Sequence, residues 1–191
     1  MDAAGPPSSA PRPPVEVVRS PRRRRTGQAS LQDGRVVVRV PAGLAPDDER
    51  RLVERLVGRV LGEHRVRAAG GDRALRSRAD RLADTYLDGI RASEVRWSSR
   101  MHQRHGSCTP STGEIRVSAR LAAHPRFVLD YVLVHELAHL QEPAHSPAFR
   151  QLVERFPEAE RALGFLEGFA AGQADRSGAA GHPADHPAGP E

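Results

Sequence analysis

The sequence predicts an α+β fold in which a small antiparallel sheet or β-hairpin packs on helices. Three observations lead there. Residues 35–40 are a β-branched run and residues 95–103 alternate, so both read as strands. Five segments carry apolar residues at helical spacing. In one of them, Tyr131-Val132-Leu133-Val134-His135-Glu136-Leu137-Ala138-His139-Leu140, the helix is apolar almost all round and so reads as buried. Histidine and glutamate are costly there unless paired or metal-bound.

Composition sets the bounds. The chain has 191 residues, enough for one domain with tails. Hydrophobic residues make up 38 % and aromatic residues 4 %, so the folded part is expected to fall short of the full length. We expect a disordered Pro/Arg-rich tail at 1–34, one folded domain at 35–171 and a disordered Gly/Pro/His tail at 172–191. The net charge is +5, yet every basic residue is arginine, and lysine and asparagine are missing. That bias reads as genomic base composition and weakens a nucleic-acid reading of the charge. A single cysteine, Cys108, excludes an internal disulfide and fits a reducing compartment. No stretch resembles a signal peptide or nears the ~20 apolar residues of a membrane span. The expectation is a cytoplasmic protein with no membrane partner.

In order along the chain, the Arg22 to Arg25 run reads as a solvated tail, with contact to nucleic acid or an acidic partner as the functional alternative. Residues 35–40 are a strand closed by Pro41. Ala45-Pro46-Asp47-Asp48 starts a helix with Val53, Leu56, Val57, Val60 and Leu61 as its stripe, and Gly62 is read as its stop. After the Gly70-Gly71 break, residues 73–88 place Leu75, Ala79, Leu82 and Tyr86 on one face, with Gly89 as cap. In residues 95–103, Val95, Trp97, Ser99 and Met101 share one face. With a turn at Ser111-Thr112-Gly113 and a strand at 114–118, this predicts a hairpin. Pro125 opens the motif helix, 125–141, and Pro143 ends it. Ser146-Pro147 is a cap and first turn for a helix at 147–156, with Phe149, Leu152 and Val153 inward. A last helix spans 157–170.

The motif helix carries the chemistry. His135 and His139 lie one turn apart on one face, where one metal ion takes both. Glu136 sits about 100° round, at the rim, where a general base belongs. This H-E-x-x-H arrangement is that of zinc hydrolases. A catalytic zinc wants three protein ligands and one open position, and His145, at the helix–turn–helix junction, is the candidate third ligand. The His139-to-His145 spacing is that of the metzincin pattern, but Glu142 stands where that pattern has glycine. Glu142 is the main rival ligand, Glu154 and Glu158 weaker ones. Tyr131, His105 and Arg104 are candidates, in that order, for a transition-state stabiliser or cleft residue. His102 and His105 also read simply as exposed or hydrogen-bonded strand histidines. Cys108 reads as a buried filler rather than a nucleophile. His182 and His186 in the tail are adventitious metal binders.

Three blocks are shared with a known family. They are Arg104-His105-Gly106-Ser107-Cys108, then Asp130-Tyr131-Val132-Leu133-Val134-His135-Glu136-Leu137-Ala138-His139-Leu140, then His145-Ser146-Pro147-Ala148-Phe149. In these, from Arg35 to about Phe169, the chain resembles the YgjP-like metallopeptidases, metal-dependent hydrolases related to the SprT-like and wider zincin proteins. The resemblance implies a zincin-like fold, one Zn2+ per chain on His135, His139 and His145, and Glu136 as catalytic acid/base. His105 stands where the family has tryptophan and Ala144 where it has asparagine. The N-terminal part looks shorter than is usual in the family.

The expected activity is zinc-dependent hydrolysis of a peptide or protein substrate. One alternative is a nucleotide pyrophosphatase on the same metal, though no Gly-rich phosphate loop or carboxylate cluster for magnesium is present. Others are a SprT-like protease docked on nucleic acid through Arg22 to Arg25, and a structural zinc domain. The oligomeric state is left open.

Overall fold

The computed structural model describes residues 13–101 and 104–179, with the side chains of 173–179 excepted. Among these residues the chain forms five α-helices and two three-stranded sheets. The first sheet comprises β1 (Val15–Ser20), β2 (Gln28–Gln32) and β3 (Arg35–Pro41), in the order β1-β3-β2. β1 runs parallel to β3 and β2 antiparallel to it.

This corrects the expected disordered tail at 1–34, since β1 and β2 both lie within it. The cue was Asp33-Gly34, a two-residue hairpin turn with φ of 47° and 76°. An Asp-Gly pair favours that turn because both positions need φ > 0. The physical reason is long-range. Val17, Ala29 and Leu31 are too sparse to form a core alone, but they pack with Val36, Val38 and Val40. The Arg22 to Arg25 run falls in the β1–β2 connection, where Arg23 donates to Gln28 Oε1 at 3.1 Å. Residues 1–12 lie outside the described residues.

α1 (Pro46–Ala68) covers the first sheet and runs on past Gly62, where the sequence predicts a stop. A helix-interior glycine costs only about 1 kcal/mol, and packing overrides it. Gly62 is buried, and a Cβ built there would lie 3.7 Å from Ala119 in the 3-10 turn Ala119–Ala123. α2 (Gly71–Tyr86) ends where the Leu87 and Gly89 N–H groups both donate to Ala83 O, at 2.9 and 3.0 Å.

The second sheet holds β4 (Glu94–Ser98), β5 (Gly106–Thr109) and β6 (Glu114–Ser118), in the order β4-β6-β5. The expected hairpin is real but has a different partner. β5 is the antiparallel neighbour of β6, while β4 lies parallel on its other side. The strand expected at 95–103 stops at Ser98. A parallel pair needs a connection of a dozen or more residues, and 99–113 supply it while also containing β5. His102 and Gln103 lie outside the described residues.

α3 (Arg126–Ala138) is central, followed by α4 (Pro147–Glu154) and α5 (Ala159–Ala179). Val128, Leu133, Val134 and Ala138 of α3 are fully buried. They belong to a core shared with Leu75 and Ala83 of α2, Ile115 and Val117 of β6, and Ala162 of α5. The bidentate Arg78–Asp130 ion pair, with Nη2 to Oδ2 at 2.6 Å, joins α2 to α3. α5 corrects the expected boundary of the C-terminal tail, because its Ala-rich sequence stays helical to Ala179. Residues 180–191, with His182 and His186, lie outside the described residues.

Candidate metal centre

The buried face of α3 fixes the first two histidines, and the turn after it delivers the third. α3 closes at Ala138 with His139 as its C-cap. Leu140, Gln141 and Glu142 N–H groups then donate back to Leu137 and Ala138 carbonyls, winding the chain tightly. Pro143 prevents continuation. Ser146 caps α4, its Oγ accepting from Phe149 N–H at 3.1 Å, and Pro147 takes the first turn.

His135, His139 and His145 come together as a result. Their ring centroids are 5.0, 5.2 and 4.7 Å apart. One nitrogen from each lies within 4.8 Å of the other two, and His145 Nε2 is 3.2 Å from His135 Nε2. Two nitrogens held ~2.0 Å from a tetrahedral zinc stand about 3.3 Å apart, so the donor set fits such an ion. Among the described residues no other group of three or more His, Cys, Asp or Glu side chains converges in this way.

Two of the rings, His135 and His139, are held in the form a metal needs. Burial, then the neighbouring charges of His139 and His145, push His135 down to about 4. Burial also lowers His139. Neutral imidazoles are metal ligands; protonated ones are not. His139 Nδ1 lies 3.2 Å from Glu142 O. A carbonyl can only accept, so Nδ1 carries the proton and Nε2 keeps the free lone pair.

Glu136 is 6 % exposed, and burial pushes its carboxyl up to about 7, with Arg104 acting in the opposite direction. Its side chain rests on the β5 backbone. A Cβ at Gly106 would stand 2.5 Å from Glu136 Oε1 and 2.7 Å from its Cγ. Only glycine leaves room for this carboxylate. Sequence reasoning placed Gly106 in a shared block without seeing this contact, which joins residues thirty positions apart.

Tyr131 is buried, with its ring 6.0 Å from that of His135. Burial first, then the charges of Glu136 and Glu167, raise its phenol, which therefore keeps its proton. Arg104 is exposed and within electrostatic reach of Glu136. His105 is not one of this group: its carbonyl accepts from Ser118 N–H, and its electrostatic neighbours are Arg120 and His124. Cys108 packs against the core, and burial, aided by Glu136, pushes its thiol up to about 11. It is therefore protonated and a poor nucleophile. The rival ligands are engaged elsewhere or remote. The Glu142 carboxylate accepts from Ser146 Oγ at 2.9 Å, Glu158 pairs with Arg161, and Glu154 is exposed at the end of α4.

Phe149 has a larger part than its inward position suggested. Its ring stacks on His139 at 4.4 Å and 25°, and meets His135 and His145 edge-on at 4.9 and 4.7 Å. It forms an apolar floor under all three imidazoles. The signal was its spacing, four residues after His145 at the start of α4.

No curated protein matches the chain. Among solved structures, the metallopeptidase zymogen abylysin of Pyrococcus abyssi is similar, at 23 % identity and a TM-score of 0.45. That match covers 51 % of this chain and 92 % of the other. The model of the YgjP-like metallopeptidase domain matches residues 64–163, just over half of the 191. That span holds α2 through α4, both sides of the Glu136–Gly106 contact and all three histidines, and by it the chain belongs to the YgjP-like family of metallopeptidases, hydrolases that depend on a divalent metal.

Proposed function

We propose that this metallopeptidase holds one zinc ion on His135, His139 and His145 and cleaves peptide bonds with Glu136 as general base. The observation that carries the reading is a trio of imidazoles converging beside a buried carboxylate. When bound, the ion supplies Lewis-acid polarisation of a water and of the scissile carbonyl.

Glu136 takes the proton of the attacking water, holds it on its carboxyl and passes it to the leaving amine. A carboxyl raised by burial suits both steps, because it is basic enough to accept and acidic enough to return the proton. Gly106 keeps that carboxylate in place from below. Phe149 keeps water from the underside of the imidazoles. Tyr131 and Arg104 both lie within electrostatic reach of Glu136, and one of them donates to the developing oxyanion. His105 is assigned to the β5–β6 neighbourhood rather than to this step.

The test is zinc content and turnover of unfolded peptides and nucleoside triphosphates, wild type against Glu136→Gln, without a histidine tag. The expected outcome is one zinc per chain in both proteins, with peptide turnover reduced about 10²–10⁴-fold in the variant. Full turnover in Glu136→Gln overturns the base assignment. Nucleotide turnover that depends on Glu136, with no peptide turnover, overturns the substrate class.

A further inference from the structure

We propose that Glu142 is a positioning residue for the metal centre, tying the two ligands on either side of the turn into one rigid clasp. The inference rests on the three-histidine reading and adds a role for a residue that the sequence offered as a competing ligand.

Three contacts carry it. The main-chain carbonyl of Glu142 accepts from His139 Nδ1–H at 3.2 Å, fixing the tautomer and the ring plane of one ligand. The carboxylate of the same residue accepts from Ser146 Oγ at 2.9 Å. Ser146 Oγ in turn accepts from Phe149 N–H at 3.1 Å, and the Phe149 ring stacks on His139 and borders His145. Three hydrogen bonds and one stacked ring pair form a closed path: His139 ring, Glu142 carbonyl, Glu142 carboxylate, Ser146 hydroxyl, Phe149 amide, and back to His139 through the Phe149 ring.

His145 lies inside this path. It is exposed, and among the described residues its one ring hydrogen-bond partner is His135 Nε2. Its partners are the other two ligand rings and Phe149, so no residue outside the metal group holds its ring among those contacts. Its position is inherited from residues 142–146, and the 142–146 side-chain bond closes that segment into a loop. A hydroxyl that both caps a helix and clamps the carboxylate leaves the segment little freedom. An ordered turn means that the entropy of gathering the third ligand is paid during folding rather than at metal binding. The carboxylate engaged with Ser146 is also withheld from the ion, which keeps a coordination position open.

Zinc affinity of the apoprotein, measured by competition with a chromogenic chelator, tests this without any assay of turnover. The proteins are wild type, His145→Ala, Glu142→Ala, Glu142→Gln and Ser146→Ala, each with its apo melting temperature. Glu142→Ala is expected to weaken zinc binding about 10–100-fold with its apo melting temperature within a few degrees of wild type. Glu142→Gln is expected to stay within about threefold of wild type, because the amide oxygen still accepts from Ser146. Ser146→Ala should weaken zinc as Glu142→Ala does, with a further loss of melting temperature from the missing cap. Wild-type affinity in Glu142→Ala overturns the proposal. Equal loss in Glu142→Gln and Glu142→Ala also overturns it, since that is the signature of a direct carboxylate ligand. Wild-type affinity in His145→Ala sinks the three-histidine reading itself, a distinct failure.

Discussion

In both sheets the central strand is the last of its three in sequence: β3 lies between β1 and β2, and β6 between β4 and β5. In both, the first strand runs parallel to the centre and the second forms a hairpin with it. The wiring is the same and the use differs. The first sheet has α1 on one face and a small core of Val36, Val38, Val40 and Leu56. The second lies against α2 and α3 and shares a core with α4 and α5. Gln28, the first residue of β2, is exposed; Gly106, the first residue of β5, lies beneath Glu136. Topology therefore does not make the site. What makes it is the helix laid over the hairpin strand.

The contrast in burial is open to direct measurement. Leu133 is fully buried and Leu56 nearly so. Leu133→Ala is expected to cost 2–5 kcal/mol (~3 as a central value) in urea unfolding, and Leu56→Ala about 2, near the low end for a leucine truncation. Equal losses would break the claim that the two cores differ in depth.

The interhelix and strand–helix ion pairs give the next test. Arg78–Asp130 has side chains 18 % and 14 % exposed, while Arg19–Glu49 has 60 % and 17 %. Asp130→Ala should cost about 2 kcal/mol after allowing for solvent screening. Glu49→Ala should cost about 0–1 kcal/mol. A larger loss at Glu49 would reverse the comparison.

A third pair of variants addresses the hairpin strands. Gly106→Ala should displace the Glu136 carboxylate and lower peptide turnover about 10–100-fold with zinc still bound, because a misplacement near 1 Å costs that much. Gln28→Ala should leave turnover unchanged. Retained turnover in Gly106→Ala would show that β5 does not seat the base.

The smallest effect concerns acid. His124 packs on Phe165 and Phe169 of α5, and burial, then the charges of His105, Arg120 and Arg65, push it down to about 4. The unfolded chain takes up that proton near 6.5, so between these values the unfolded state binds more protons. Its contribution is fully present above pH 6.5 and is lost as pH falls toward 4. His124→Phe should flatten the fall in urea midpoint between pH 7 and 4.5. An unchanged slope would place the acid sensitivity elsewhere.

The motif helix and its triad were legible because the relations are local. A four-residue spacing puts His135 above His139, Pro143 ends the helix, and Ser146-Pro147 starts the next one. Each is set within a turn or two of backbone. The Asp33-Gly34 turn is a local signal too, but the Pro- and Arg-rich residues before it carry little of the apolar pattern that marks a strand. Glu142 was ambiguous in one dimension, since a carboxylate beside a ligand histidine serves equally as ligand or as support.

The sequence by itself determined the motif helix, the turn after it and the identity of the three imidazoles, because helical period and capping chemistry act over a few residues. Only the tertiary structure decided that β4 runs parallel to β6, that the N-terminal stretch from Val15 becomes a sheet, and that Glu136 rests on Gly106. Those are contacts between segments far apart in the chain. Their free energy comes from apolar surface that no segment can bury alone.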